Sequence, residues 1–146
     1  MQDPMNKDRR VGDHPAGSLK TMVDHLLNAV LPESVRQSTL IINDIEKRVD
    51  CQISEKMLTL VLGNILNEIV KNTHNGCIRI KASPDGETFS FGVDQGNFQF
   101  TPTFYYFIET IQVIASHLGK DFQIGVEKGP RFLLRIGFSH IGQKVA

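Results

Sequence analysis

Three polar side chains lie close enough in sequence to do chemistry together. Asn64, Glu68 and Lys71 stand at i, i+4 and i+7, so on a helix an amide, a carboxylate and an ammonium line one stripe. Two readings are open. The stripe is either a binding site or a solvated face on which Glu68 and Lys71 form an i,i+3 pair worth about 0.2–0.5 kcal/mol. A second polar group, Asp94-Gln95-Gly96-Asn97, follows an alternating strand pattern and reads as a loop, because aspartate and glycine are turn residues. A third group is aromatic. Phe98, Phe100, Phe104, Tyr105, Tyr106 and Phe107 crowd into a short run, which either fills the core or presents a patch to a partner or second copy.

The element that must position the first stripe is the strongest helix in the chain. From Ser54 to Asn75, apolar residues recur at Leu58, Val61, Leu62, Ile65, Leu66, Ile69 and Val70, the rhythm of a half-buried helix. Ser54 is placed to cap its start, and Asn75-Gly76 to end it in the left-handed conformation both tolerate. Upstream, Ser18 caps a second amphipathic stretch whose helical spacing runs through Leu31; Pro32 can begin a new turn, and Glu33 to Ser38 either prolong the helix or form irregular chain. His25 on that helix reads as a surface residue rather than a phosphoacceptor, because only Asp24 is beside it and no long partner helix follows. Thr39 to Ile45 is rich in β-branched residues and reads as a strand. Val49 to Ile53 reads as a short extended piece.

After the central helix, Cys77 to Ser83 and Phe89 to Val93 alternate apolar and polar residues and pair as a hairpin. Pro84-Asp85-Gly86-Glu87 supplies the turn. A helix spans Thr103 to His117. Strands at Asp121–Glu127 and Arg131–Phe138 close the chain around Lys128-Gly129-Pro130. Residues 1–17, with His14, read as a disordered polar leader, in part an expression remnant, and 139–146 as a polar tail. The order predicts an α+β fold, a two-layer α/β sandwich in which about three helices cover one face of a mixed sheet.

The totals narrow the function classes. Sixteen basic residues balance sixteen acidic ones, which gives no reason to expect a nucleic-acid or anionic-membrane partner. Cys51 and Cys77 lack metal-ligand spacing and suit a reducing compartment. No apolar run reaches the roughly 18 residues of a membrane span, and no signal-peptide pattern opens the chain, so the expected address is cytoplasmic.

Residues 18–138 resemble the catalytic domain of sensor histidine kinases, a histidine kinase-like ATPase (Bergerat-like) domain in the superfamily of Hsp90, gyrase B and MutL. The segment Leu62-Gly63-Asn64-Ile65-Leu66-Asn67-Glu68-Ile69-Val70-Lys71 is similar to the family's N-box. The resemblance implies that Asn64 holds Mg²⁺ and that Lys71 reaches phosphate, with Glu68 where many kinases carry a second asparagine. Asp94-Gln95-Gly96 resembles the start of the Asp-x-Gly-x-Gly box, whose aspartate accepts a hydrogen bond from the adenine amino group. Asp94 and Gly96 thereby join the implied nucleotide site. His117-Leu118-Gly119-Lys120 resembles the helix exit before the last two strands.

Four departures change the expected chemistry. Phe98 stands at the second glycine of the aspartate box. Only Gln99 to Thr103 separate it from the next helix, where the family has a long mobile lid. No glycine occurs among Phe104 to Phe107, and Gly129-Pro130-Arg131-Phe132 replaces the family's Gly-Thr-x-Phe. Phosphates are held where backbone N–H groups approach closely at a helix start, which glycine permits. The Asp94 hydrogen bond would contribute about 1.5–3 kcal/mol, whereas millimolar binding requires about 4 kcal/mol net.

The expectation is a degenerate domain, with no working cofactor. Phe98, Phe104 and Tyr105 would fill its pocket or bind a partner. Its role would be regulation or docking in two-component phosphosignalling, with a response regulator or similar protein as partner. Two alternatives stand beside it. One is a short-lidded ATP- and Mg-binding kinase that phosphorylates a histidine in trans, and the other is a ligand-free homodimerisation module.

Overall fold

The computed structural model describes residues 18–51, 54–117, 121–128 and 131–139. The leader with His14, Ile53, the 118–120 helix exit, the 129–130 turn and the tail from 140 lie outside the described residues.

Helix α1 (Leu19–Arg36) starts where the Ser18 side chain accepts a hydrogen bond from the Thr21 amide. It runs on through Pro32 to Arg36, further than Leu31. Strand β1 (Leu40–Asn43) follows. The piece after it is not a strand: it turns at Lys47-Arg48 and touches the helix start through a single bridge between Ser18 and Asp50.

The central helix begins at Ser54, whose hydroxyl takes the Met57 amide. It comprises α2 (Glu55–Leu58), a π-helical turn (Thr59–Gly63) and α3 (Asn64–Lys71). Its end corrects the expected one. No glycine stops it. The Asn72 amide side chain donates to Glu68 O at 2.7 Å and the Thr73 hydroxyl to Ile69 O at 2.7 Å, adding second donors to carbonyls that the Asn72 backbone amide also reaches.

The chain then enters strand β2 (Thr73–Ala82) directly. Asn75 does adopt the left-handed conformation, with φ 53°, but inside β2, where the register shifts between His74 and Cys77. The tolerance that was to end a helix instead serves a β-bulge. Strand β3 (Thr88–Phe98) also outruns its expected end. Asp94-Gln95-Gly96-Asn97 is strand rather than loop, because a second irregularity sets Cys77 opposite Gln95 and Ile78 opposite Val93. Asp94 is therefore the extra residue of its strand. Helix α4 (Pro102–His117) and the hairpin β4 (Asp121–Lys128) and β5 (Phe132–Ser139) complete the chain.

The five strands order as β1-β2-β3-β5-β4, with β1 parallel to β2 and the other pairs antiparallel. One face is buried: Ile78 and Ile80, Phe89, Phe91 and Val93, and Phe132, Leu134, Ile136 and Phe138. The helices pack there through Leu19, Met22, Val23, Leu58, Val61, Leu62, Ile65, Leu66, Ile69, Val70, Phe104, Ile108 and Ile111. Among the described residues, the other face is open. A side-chain carbon added at Gly125 or Gly137 would meet no atom within 4 Å. This is the expected α+β two-layer sandwich with a mixed sheet.

The β2–β3 turn follows its sequence. Gly86 takes φ 76°, and the Asp85 carboxylate accepts from the Ser83 hydroxyl and the Glu87 amide. Those bonds, the Ser83 one first, hold the Asp85 carboxyl below its usual range. Its stabilising contribution is therefore present above the unfolded-state value and is lost as pH falls through the lower folded one. Ser83→Ala should move the Asp85 titration upward, as read by carboxyl-carbon NMR; an unchanged midpoint would remove Ser83 as the main cause.

Candidate functional site

Asn64 opens α3 on the exposed side of the central helix and lines a shallow groove with Glu55, Lys56, Thr59 and Leu60. Its side-chain nitrogen donates to the Leu60 carbonyl, within the π-helical turn. Two turns on, Lys71 pairs with Glu68 at 3.1 Å, the i,i+3 contact expected of a solvated face. The Lys71 carbonyl also accepts from the Gln37 side chain at 3.5 Å. Lys71 further contributes to lowering Glu33, whose carboxyl is held down first by hydrogen bonds from Arg36 and Gln37. The lysine thus lies between Glu68 of its own helix and Glu33 near the end of α1.

Asp94 lies elsewhere. Residues of β3 alternate faces, and Val93 is buried against the helices. Asp94 accepts from Arg79 Nε at 2.8 Å and stands 3.6 Å from Arg131. It lines a cavity of about 610 Å³ with Arg79, Lys81, Ser90, Gly92 and Arg135, on the helix-free face. The sheet stands between this carboxylate and Asn64. The structure therefore joins Glu68 to Lys71, sets Asn64 along the same helix, and does not bring Asp94 to them. The backbone of Gly96 sits in β3 next to Gln95.

Phe98, Phe100, Phe104, Tyr105 and Phe132 form one aromatic cluster. Phe98 stacks on Phe132 with centroids 3.9 Å apart, and meets Phe100 and Phe104 edge-on at 5.0 and 5.1 Å. Tyr105 stacks on Phe100 at 5.5 Å. Phe104 is fully buried, Phe98 half-buried, and Tyr105 38% exposed. Core filling accounts for the first two, and Tyr105 forms the rim.

The connection from β3 to α4 is shorter than expected. Only Gln99, Phe100 and Thr101 lie between Phe98 and Pro102. Gln99 is tied back to Asn72 by a 2.9 Å backbone bond. The Thr101 hydroxyl takes the Phe104 amide at 3.1 Å, so this helix start is capped by its own chain.

Sequence reasoning missed Arg79 and Arg131 as partners of Asp94. A signal for Arg79 was present, since it alternates with Ile78 and Ile80 and had to face away from the core. Among the described residues, no group of three histidine, cysteine or acidic side chains could hold a metal ion. No helix among them is long and apolar enough to cross a membrane.

Phe104→Ala should destabilise the domain by about 3–5 kcal/mol in urea unfolding, the cost of emptying a closed aromatic site. Tyr106→Ala, at a position 73% exposed, should cost under about 0.5 kcal/mol. Equal losses would show that the cluster is not the core of this end of the molecule.

Compared by sequence, the chain matches no family model and no curated protein. Compared by structure, it is similar to histidine kinases. Histidine kinase AdeS of Acinetobacter baumannii superposes with a TM-score of 0.64 at 13% identity, over 93% of this chain and 72% of that one. The catalytic domain of histidine kinase ThkA gives 0.62 at 12% identity, over 83% of this chain and 92% of that one. Full-length ShkA in complex with AMPPNP gives 0.59 at 18% identity, over 86% of this chain and 31% of that one. The chain has the fold of a histidine kinase catalytic domain.

Proposed function

We propose that this chain is a non-catalytic histidine kinase-like module that regulates or docks onto a two-component signalling protein, such as a response regulator. The observation that carries this reading is the position of Asp94. The carboxylate that by resemblance would read adenine is bound to Arg79 on the face turned away from Asn64. The short β3–α4 connection and the buried Phe104 support it, because they take the place of a lid and of a glycine-rich phosphate cradle. With neither half assembled, the remaining polar stripe binds its own neighbours: Lys71 to Glu68, and Asn64 to Leu60.

A second reading, a short-lidded ATP-binding domain, draws on one observation: the similarly folded ShkA is in complex with AMPPNP. In that case Asn64 would hold Mg²⁺ and Lys71 a phosphate.

The two readings separate in a thermal shift and calorimetric titration with Mg-ATP. A non-catalytic module should show no saturable heat and no rise in Tm at millimolar nucleotide. A site loaded at 100 times its Kd would instead gain about 2.7 kcal/mol. A nucleotide-dependent rise in Tm that Asp94→Asn abolishes would overturn the proposal.

A further inference from the structure

The cavity around Asp94 has an architecture of its own, on the face turned away from Asn64, Glu68 and Lys71. On the helix-free face, the register places Lys81 opposite Ser90 and Ser90 opposite Arg135. The next row places Arg79 opposite Gly92 and Gly92 opposite Leu133. Small residues of β3 thus form a floor, and long side chains of β2 and β5 form two walls. Two strand spacings separate the walls by about 10 Å, and the floor from Ser90 to Asp94 runs about 13 Å, the length of roughly four extended residues.

The walls are cationic. Arg79, Lys81, Arg131 and Arg135 line the groove against two carboxylates, Asp94 and Glu127. Asp94 is bound by Arg79 and near Arg131, Glu127 pairs with Arg135 at 2.6 Å, and Asp44 stands 3.5 Å from Arg79 at the β1 side. Even with Asp44 included the cations are in excess, in a chain whose sixteen basic and sixteen acidic residues cancel. Arginine forks suit carboxylates held side-on, and Arg79 already holds Asp94 through a single Nε bond of 2.8 Å. Half-buried Leu133 adds an apolar contact on the β5 wall. Among the described residues, no helix or loop covers the groove. A small ligand would normally be mostly enclosed, so an open trough of this length favours a segment of a macromolecule.

We propose that the helix-free face of the sheet is a docking groove for an acidic, extended segment of a partner protein, gripped by Arg79, Lys81, Arg131 and Arg135 over the Ser90–Gly92 floor. The proposal gives a place to the docking role above. Its test uses no nucleotide, so either reading can fail alone.

The test measures fluorescence anisotropy with a labelled hexapeptide alternating glutamate and leucine. The full chain should bind it saturably, and Lys81→Glu combined with Arg135→Glu should weaken binding about tenfold or more. Gly92→Leu should do the same by filling the floor without a change of charge. Lys47→Glu combined with Arg48→Glu, an equal charge change in the exposed turn after β1, should leave binding unchanged. Circular dichroism checks that each variant is folded, and if Gly92→Leu unfolds, the charge variants decide alone. Absence of saturable binding below millimolar peptide, or equal losses from the groove and control variants, would overturn the proposal. So would groove-dependent binding that is tighter to single-stranded DNA or to phosphatidylserine vesicles than to the peptide.

Discussion

The structure depends on one asymmetry: the sheet has a single buried face. Ile78, Ile80, Phe89, Phe91, Leu134 and Ile136 are at most 1% exposed, and the apolar sides of α1, the central helix and α4 close over them. Side chains alternate along a strand, so burying one set commits the intervening set to the other face. Arg79, Lys81, Ser90, Gly92, Leu133 and Arg135 are placed outward by that constraint. The aliphatic and aromatic burial that holds the domain together therefore also creates the groove.

The same constraint decides the fate of Asp94. Val93 is in the core, so the residue after it turns outward, and the extra residue in β3 keeps the strand paired past that point. The second bulge, at Asn75, restores the register so that Thr73 meets Phe98. The two irregularities offset each other, so the pairing before Asp94 and the pairing from Asn97 onward keep one register. With them, β3 continues to Phe98 and delivers its ring onto Phe132. The aromatic cluster and the short connection are two consequences of one prolonged strand, whereas the outward aspartate follows from the burial of Val93.

The polar stripe on the central helix is separable from all this. Its apolar opposite side fixes the helix on the sheet, while Asn64, Glu68 and Lys71 remain at the surface and satisfy local partners. A surface ion pair and a side-chain bond to a helix carbonyl stabilise little, so nothing in the packing demands these residue types. The fold tolerates them, whereas it requires Ile65, Leu66, Ile69 and Val70.

Much of the fold was legible in the sequence. Helical periodicity placed the three helices, alternation placed most strands, and Ser18, Ser54 and the Pro84–Glu87 turn marked local boundaries, because each of these signals acts over a few residues. The sequence also separated core from surface within each strand. What it left open was every feature set by pairing between distant segments. Asn75 is a residue that accepts positive φ, but whether it ends a helix or makes a bulge depends on β3 lying beside it. Asp94-Gln95-Gly96-Asn97 has turn composition, yet register with β2 makes it strand. Asp94 was read with Asn64 by resemblance. Tertiary structure gave it Arg79 and Arg131 instead, because the face on which a strand residue emerges is fixed by which neighbours bury the residue before it.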